Sequence, residues 1–568
     1  MDRKLMAKQH ISFKEWRTFH DELKRLWTTQ FERQMLAIGC KAYSAIWISP
    51  MEKVARSENP ILSSSETLVL DAARGEGESA QLVAYAKRDL KNLRVRLLKQ
   101  LVSADGASIP ESAVTIMPVG YVACSKPPYW TPHDGLWPDP LLAYANTIEL
   151  ERGFCQAWWL DINVPKAQPS GIYNGALSIT ADNEQETEMP FALCVHRFTL
   201  PDGSAYPMSV CYHGTSAETI GWSSALTDDH PSKTRTVEWN RAAWDMMMNH
   251  RIGCDSLYHT QPIDAESAKY KLDHGARLFN ICYLDADTEK RFSVIDKAIE
   301  AYKRLGILDN AYFYGFDEAQ PDTFTKISPV IQTVRNRYPN IPVFTTAADT
   351  SFGNDETSPL HDCIDWWCPV TPSYEQYYSQ IASAREKGRQ VWWYICCYPT
   401  QPYANIFIDF PGIQPRLLLG MMYQKYKPDG FLYYAVTNWR DNGILRNYPM
   451  KGAPCTNWTG NSHKNFNGDG VLLYPGETQI LPTQRLKLLR DGMEDALYFQ
   501  LLEQALEHAG RMSAEWRERA ERELKVEPEL VTSLSQFTDN PAILLEKRSR
   551  LIRLLDEFAD INDQTSGR

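Results

Sequence analysis

The sequence has no excess of basic charge. Its 60 Lys and Arg stand against 71 Asp and Glu, a formal net charge of −11. That balance argues against a nucleic-acid backbone or an anionic membrane as the main partner. Long apolar runs are missing too, so nothing reads as a membrane span. The opening MDRKLMAKQHISFKEW lacks the apolar stretch of a secretory signal, which favours a cytoplasmic protein unless a leader has been removed. There is no GxGxxG or GxxxxGK[ST] loop for a nucleotide. The 12 Cys are scattered without paired CxxC spacing, and several lie inside apolar runs (Cys363, Cys368, Cys396, Cys397), as reduced core residues do. His361-Asp362-Cys363 has no partners at ligand spacing, so neither a metal nor a cofactor is expected. What the chain has in quantity is aromatic: 17 Trp, 28 Tyr and 20 Phe, 11% of all residues. Such a load serves either large cores or the stacking of sugar rings.

A chain of 568 residues needs several cores. Four regions are expected. Residues 1–60 carry a helical apolar rhythm (FKEWRTFHDELKRLWTTQFERQML) and read as an N-terminal extension, a candidate contact for a homo-oligomer. Residues 61–203 hold short strand-like runs, among them AQLVAYA, VTIMPVGYVAC and GIYNGALSIT, broken by turns as in an all-β sandwich. Residues 204–445 alternate strands (206–213, 254–259, 276–284, 311–318, 341–347, 364–370, 391–397, 430–436) with helical segments. This fits a (β/α)8 TIM-like barrel better than an open doubly wound sheet. Residues 446–568 begin with a Gly/Asn/Pro-rich stretch and end in helices (484–508, 513–526, 540–561) expected to pack on the barrel.

In a barrel the chemistry belongs at the C-terminal ends of the strands. The fourth run ends in Tyr314-Gly315-Phe316-Asp317-Glu318, two adjacent carboxylates closing an apolar segment. The seventh holds Trp392-Trp393-Tyr394, and the eighth leads into Asn438-Trp439. The first leads to Tyr212-His213, and the first barrel helix ends in His250-Arg251. An acidic pair among aromatic walls is what glycoside cleavage requires. Asp317 and Glu318 are the catalytic candidates. Tyr394, Trp393, His250, Arg251, Tyr212, Tyr374, Asn438 and Trp439 are candidates for substrate binding. Each has a plainer alternative. His250-Arg251 could complement a helix C-terminus, the tryptophans could be core, and Arg490-Asp491-Glu494-Asp495 could pair along its own helix.

Gly315-Phe316-Asp317-Glu318 resembles the Gly-Phe-Asp-Glu-Pro motif of glycoside hydrolase family 123, which includes β-N-acetylgalactosaminidases. Further resemblances follow in order: Gly135-Leu136-Trp137-Pro138-Asp139-Pro140-Leu141, Asn249-His250-Arg251, Trp392-Trp393-Tyr394, and Asp429-Gly430-Phe431-Leu432-Tyr433. They continue with Gly468-Asp469-Gly470, Tyr474-Pro475-Gly476 and Arg485…Leu489-Arg490-Asp491-Gly492-Met493-Glu494-Asp495. Ala319 departs from the family proline, and Gly420-Met421 and Tyr433-Tyr434 stand where tryptophan is frequent.

The resemblance implies a retaining exo-glycosidase acting on terminal β-linked N-acetylgalactosamine. The substrate's own acetamido group would be the nucleophile, through an oxazolinium intermediate. It casts Glu318 as general acid and base, Asp317 as the partner of the acetamido N–H, and Tyr394 as donor to the acetamido carbonyl. The partner implied is a carbohydrate ending in a β-linked N-acetylhexosamine. Two alternatives stand beside it: a silent carbohydrate-binding or scaffolding relative, and an enzyme for another β-N-acetylhexosamine. Neighbours on a regular strand face opposite ways, so both carboxylates can serve one sugar only if the chain leaves strand geometry after Phe316.

Overall fold

A computed structural model describes residues 42–56, 64–65, 68–213, 236–439, 442–448 and 455–566. Most of the expected N-terminal helical extension lies outside these residues. Its described end is not helical: Tyr43–Ile48 is a strand, paired antiparallel with Gly77–Ala86. The burial pattern gives the reason, since YSAIWI is an apolar run that covers a sheet face on both sides.

Two sheets build the N-terminal part. The larger runs through Tyr43–Ile48, Gly77–Ala86, Cys155–Asn163 and Val114–Cys124, and the smaller through Leu68–Arg74, Thr187–Thr199, Gly171–Thr180 and Leu90–Ser103. Between them lies a core that includes Trp47, Leu82, Trp158, Leu160, Leu177 and Phe191. Each such side chain, once fully buried, contributes about 1.5–3 kcal/mol. Cys455–Thr459 adds a strand beside Val114–Cys124, so the C-terminal part of the chain also supplies this sheet.

Between Tyr206 and Tyr433 the strands are parallel and form two arcs. One holds Phe279–Leu284, Ala311–Gly315, Val343–Thr345, Trp366–Trp367 and Gln390–Val391 in that order. The other holds Cys254–Asp255, Met208–Cys211, Phe431–Tyr433 and Trp393–Ile395. The arcs share the segment 390–395, interrupted at Trp392, whose indole lies where a Cβ on Gly430 would sit, 2.4 Å from the nearest ring atom. No ladder joins Cys254–Asp255 to Phe279–Leu284. Side chains bridge that gap: Asp255 accepts from the Asn280 N–H at 3.0 Å, and the Asn280 amide donates to the carbonyls of Ser256 and Leu257. The expected barrel is therefore seen as two parallel half-sheets, joined at this point by side-chain hydrogen bonds and by two backbone bonds outside any ladder, from the Tyr283 N–H to the His259 carbonyl and from the Ile263 N–H to the Ile281 carbonyl.

Strand alternation sorts the aromatic surplus. Tyr312, Tyr314, Phe344 and Trp392 share one inner cluster with Cys211, Leu257 and Leu432. Phe313, Trp367 and Trp393 belong to the outer core under the helices. The helical segments include Thr236–Asn249, Phe292–Leu305 and Phe324–Arg337.

The helix Gln484–Glu507 is buried on every side over its first four turns. Its charges pair outward as well as along the helix. Arg485 holds Asp139 with two hydrogen bonds of 2.8 Å, Lys487 and Arg490 both hold Asp161, and Asp495 accepts two from Arg416. Only Arg490 with Asp491 and Glu494 follows the expected pairing within the helix.

Candidate active site

The fourth parallel strand ends at Gly315, and only glycine fits there. A Cβ would stand 2.4 Å from that of Leu284. Past it the backbone leaves strand geometry, with Phe316 at φ 51° and Glu318 at φ 50°. Residues with side chains seldom adopt this left-handed region, and each such position costs on the order of 1–3 kcal/mol. The turn ties the two residues together through Thr346, by the Asp317 carboxylate and the Glu318 backbone N–H. Asp317 accepts from the hydroxyl of Tyr314, from Thr346 at 2.6 Å and from Tyr258 at 3.5 Å. The Glu318 N–H donates to the same Thr346 oxygen at 2.9 Å, and the Glu318 carboxylate accepts from Tyr394 at 2.7 Å. The Asp317 N–H donates to Tyr283 at 3.0 Å.

The surroundings are hydroxyl-rich, with Asp317 partly buried and Glu318 exposed. Burial lifts the pKa of Asp317, partly opposed by the hydroxyls of Thr346 and Tyr314 and reinforced by the charge of Glu318. Burial, then Cys396 and Glu318, push Tyr394 far up, so it stays a protonated donor. Tyr283 is raised to about 12, also by burial. His213, whose ring stacks near Tyr258, is held down at about 4 by burial and by His259, which keeps it neutral. The arrangement offers a partly buried acceptor (Asp317), an exposed second carboxylate placed to move a proton (Glu318), and a phenol (Tyr394) whose hydrogen bond can be exchanged for one to a ligand.

Residues 239–502 match the family "Glycoside hydrolase 123, catalytic domain", and residues 47–181 match "Glycoside hydrolase 123 N-terminal domain". The chain belongs to glycoside hydrolase family 123. A solved family 123 glycoside hydrolase from Clostridium perfringens superposes with a TM-score of 0.67 at 15% identity, covering 92% of this chain and 99% of that one. A GH5 xyloglucanase from Bacteroides ovatus reaches a TM-score of only 0.25 at 11% identity, over 76% of this chain and 98% of that one. That second likeness supports no argument. No curated protein sequence matches.

Within this family 123 chain, the structure joins Asp317, Glu318 and Tyr394 and sends most other candidates elsewhere. Trp393 and Tyr374 are fully buried and pack edge to face at 5.3 Å. Strand alternation turns Trp393 away from the inner side that Tyr394 faces. Tyr212 is buried and donates to Asn240 on the first helix. Trp439 is buried, with its indole N–H on the Leu473 carbonyl at 2.8 Å. His250 is buried and donates to the Met246 carbonyl. Arg251 clamps the seam between the sheets and the C-terminal helix, through Glu494 at 2.9 Å and the carbonyls of Pro201 and Gly75. These six are corrections: all are buried, and Tyr212, Trp439 and Arg251 also spend their polar groups on protein partners. Asn438 is buried as well, donating to Tyr434, which in turn donates to Asp469.

Sequence reasoning missed Tyr258, Tyr283 and Thr346, and placed His213 at a strand end without giving it a role. Tyr258 and Thr346 follow the ends of parallel strands, and Tyr283 lies one residue before the end of Phe279–Leu284. A cavity of about 770 Å³ lies away from the carboxylates, at the seam lined by Gly75, Arg251, Arg277 and Glu494. Among the described residues, one His/Cys/Asp group is close enough to hold a metal, and it too is remote: Asp71, Cys194 and His196. No helix among the described residues is long and apolar enough to cross a membrane.

Proposed function

We propose that the protein is a retaining exo-glycosidase that releases terminal β-linked N-acetylgalactosamine, using the substrate's 2-acetamido oxygen as nucleophile. The observation that carries this is the left-handed turn at Phe316 and Glu318, which ties the Asp317 carboxylate and the Glu318 backbone to one Thr346 hydroxyl and leaves the Glu318 carboxylate on Tyr394. Neighbouring residues cannot flank a sugar from opposite faces, as a two-carboxylate scheme requires, whereas substrate assistance needs both on one side. In this reading the two parallel arcs are halves of one (β/α)8 barrel whose C-terminal mouth receives the sugar.

Glu318 protonates the glycosidic oxygen as the bond to the anomeric carbon breaks, then takes a proton from the water that opens the oxazolinium ring. Asp317 accepts the acetamido N–H and balances the positive charge that grows there. Tyr394 trades its bond to Glu318 for one to the acetamido oxygen and aims it at the anomeric carbon. Thr346 holds Asp317 and the Glu318 backbone in register. The Clostridium relative is described in connection with glycolipid glycan hydrolysis, which makes glycolipid glycans the natural substrates to try after simple aryl glycosides.

The test is turnover of a chromogenic aryl β-N-acetylgalactosaminide by wild type and by Glu318→Gln. Loss of at least about a hundredfold in kcat is expected for the variant, the lower range for removing a general acid. Equal wild-type rates on the matching β-galactoside, which lacks the acetamido group, would sink the assisted mechanism. Absence of turnover with sugar binding retained would instead support a silent relative.

A further inference from the structure

We propose that Asp71, Cys194 and His196 form a zinc site that fastens the last helix, Pro541–Ser566, to the outer face of the smaller sheet. Cys194 and His196 stand two apart on Thr187–Thr199 and so share a face. Leu68–Arg74 runs parallel beside that strand, with Asp71 opposite Cys194. One ligand atom from each, carboxylate oxygen, thiol sulfur and imidazole nitrogen, lies within 4.8 Å of the other two. The His196 Nε2 to Asp71 Oδ1 separation is 3.0 Å. Zinc bonds of about 2.0–2.3 Å in a tetrahedron put ligands roughly 3.3–3.8 Å apart, so small side-chain movements suffice.

The surroundings are built as they are behind a metal-bound histidine. His196 Nδ1 meets Asp556 Oδ2, on the last helix, at 2.6 Å. The other oxygen of Asp556 accepts from the Arg197 N–H at 2.9 Å, which fixes the carboxylate. A carboxylate on the far imidazole nitrogen sets the tautomer and raises ligand basicity. The Asp71 backbone is held as well, its carbonyl accepting from Arg548 at 2.8 Å. The His196 side chain is 10% exposed and that of Asp71 is 40% exposed, so an ion can enter and a water can complete the tetrahedron. One thiolate, one imidazole and one carboxylate suit zinc rather than calcium or magnesium, which take oxygen ligands. On binding, the thiol proton and the proton between Nε2 and Asp71 leave to solvent, and their places are taken by bonds to the metal.

The sequence could not reveal this set. Cys-x-His is too short to be read as a metal motif, and Asp71 and Asp556 join only through strand pairing and the packing of the last helix.

The experiment uses the full-length protein stripped with a chelator, then titrated with Co²⁺ as a spectroscopic probe and with Zn²⁺ against a chromogenic chelator. Expected are one equivalent of each metal, a thiolate-to-cobalt charge-transfer band, and a Tm that rises with zinc. Cys194→Ser should lose the band while keeping the far-ultraviolet circular dichroism and glycosidase activity of wild type. Asp556→Asn should keep the band and weaken zinc by about 10–100-fold. No band in wild type at stoichiometric cobalt, or a band that survives Cys194→Ser, overturns the proposal. If Cys194→Ser proves misfolded, the wild-type band and stoichiometry decide alone.

Discussion

Replacing Asp317 by asparagine keeps the shape of the side chain and removes its charge. In the assisted mechanism the acetamido nitrogen would carry growing positive charge within about 4 Å of this carboxylate. At an effective dielectric of about 20, a full charge pair at that distance is worth about 4 kcal/mol. Only part of the charge develops in the transition state, so a kcat loss of about 10²–10³-fold is expected on an aryl β-N-acetylgalactosaminide. Stability should move the other way. Burial raises the folded-state pKa of Asp317, so holding it ionised is a cost to the fold. That cost is absent below the unfolded value of about 4, grows as pH rises through the folded value, and is complete above it. Asp317→Asn should therefore raise Tm at pH 8 and give no gain near pH 4. Wild-type kcat/KM should show an acid limb above the usual carboxylate range. Steady-state kinetics and thermal melts across pH check both halves. A kcat loss under about tenfold, or a Tm difference equal at pH 4 and pH 8, refutes the reasoning.

Three further outcomes are expected. Tyr394→Phe removes the donor that meets Glu318 at 2.7 Å and should lower kcat by about 10²–10³-fold, the range for one preorganised donor; full activity in the variant would exclude that role. Trp393→Phe should leave KM within about twofold and lower stability by about 1–3 kcal/mol in urea unfolding, because this ring is packing under the helices. Arg251→Met leaves Glu494 buried without its nearest cation, and should cost about 3–5 kcal/mol at pH 8. Burial already lifts Glu494 to about 7, so the variant should recover stability as pH falls to 5, where the carboxyl takes a proton. A loss that does not depend on pH would assign the effect to packing alone.

Much of the architecture was legible in the sequence because period and punctuation are local. The strand runs at 276–284 and 311–318 and the helix at 484–508 appear as Phe279–Leu284, Ala311–Gly315 and Gln484–Glu507. Asp317 and Glu318 were legible because packing gives no reason to end an apolar strand in two carboxylates, and the left-handed turn supplies the break that their adjacency required. What misled was residue type read without direction. Trp393 and Tyr394 are equally aromatic, yet one step along a strand reverses the face. His250 and Arg251 stood at a helix end, but only the tertiary arrangement brings Glu494 and three backbone carbonyls to that guanidinium. Thr346 and Tyr258 went unread although they follow parallel strands, because an uncharged Thr or Tyr at a strand end does not stand out as a carboxylate pair does.

The pairing of Arg485 with Asp139, and of Lys487 and Arg490 with Asp161, has a consequence for how such a chain can be cut and recombined. A fragment beginning at residue 239 would keep Arg485, Lys487 and Arg490 without Asp139 and Asp161, with Asp491 and Glu494 left to Arg490; the N-terminal fragment would keep Asp139 and Asp161 without these cations. Neither half is a portable module. Exchange between relatives has to move the sheets and the helix together, so inheritance of one is tied to inheritance of the other.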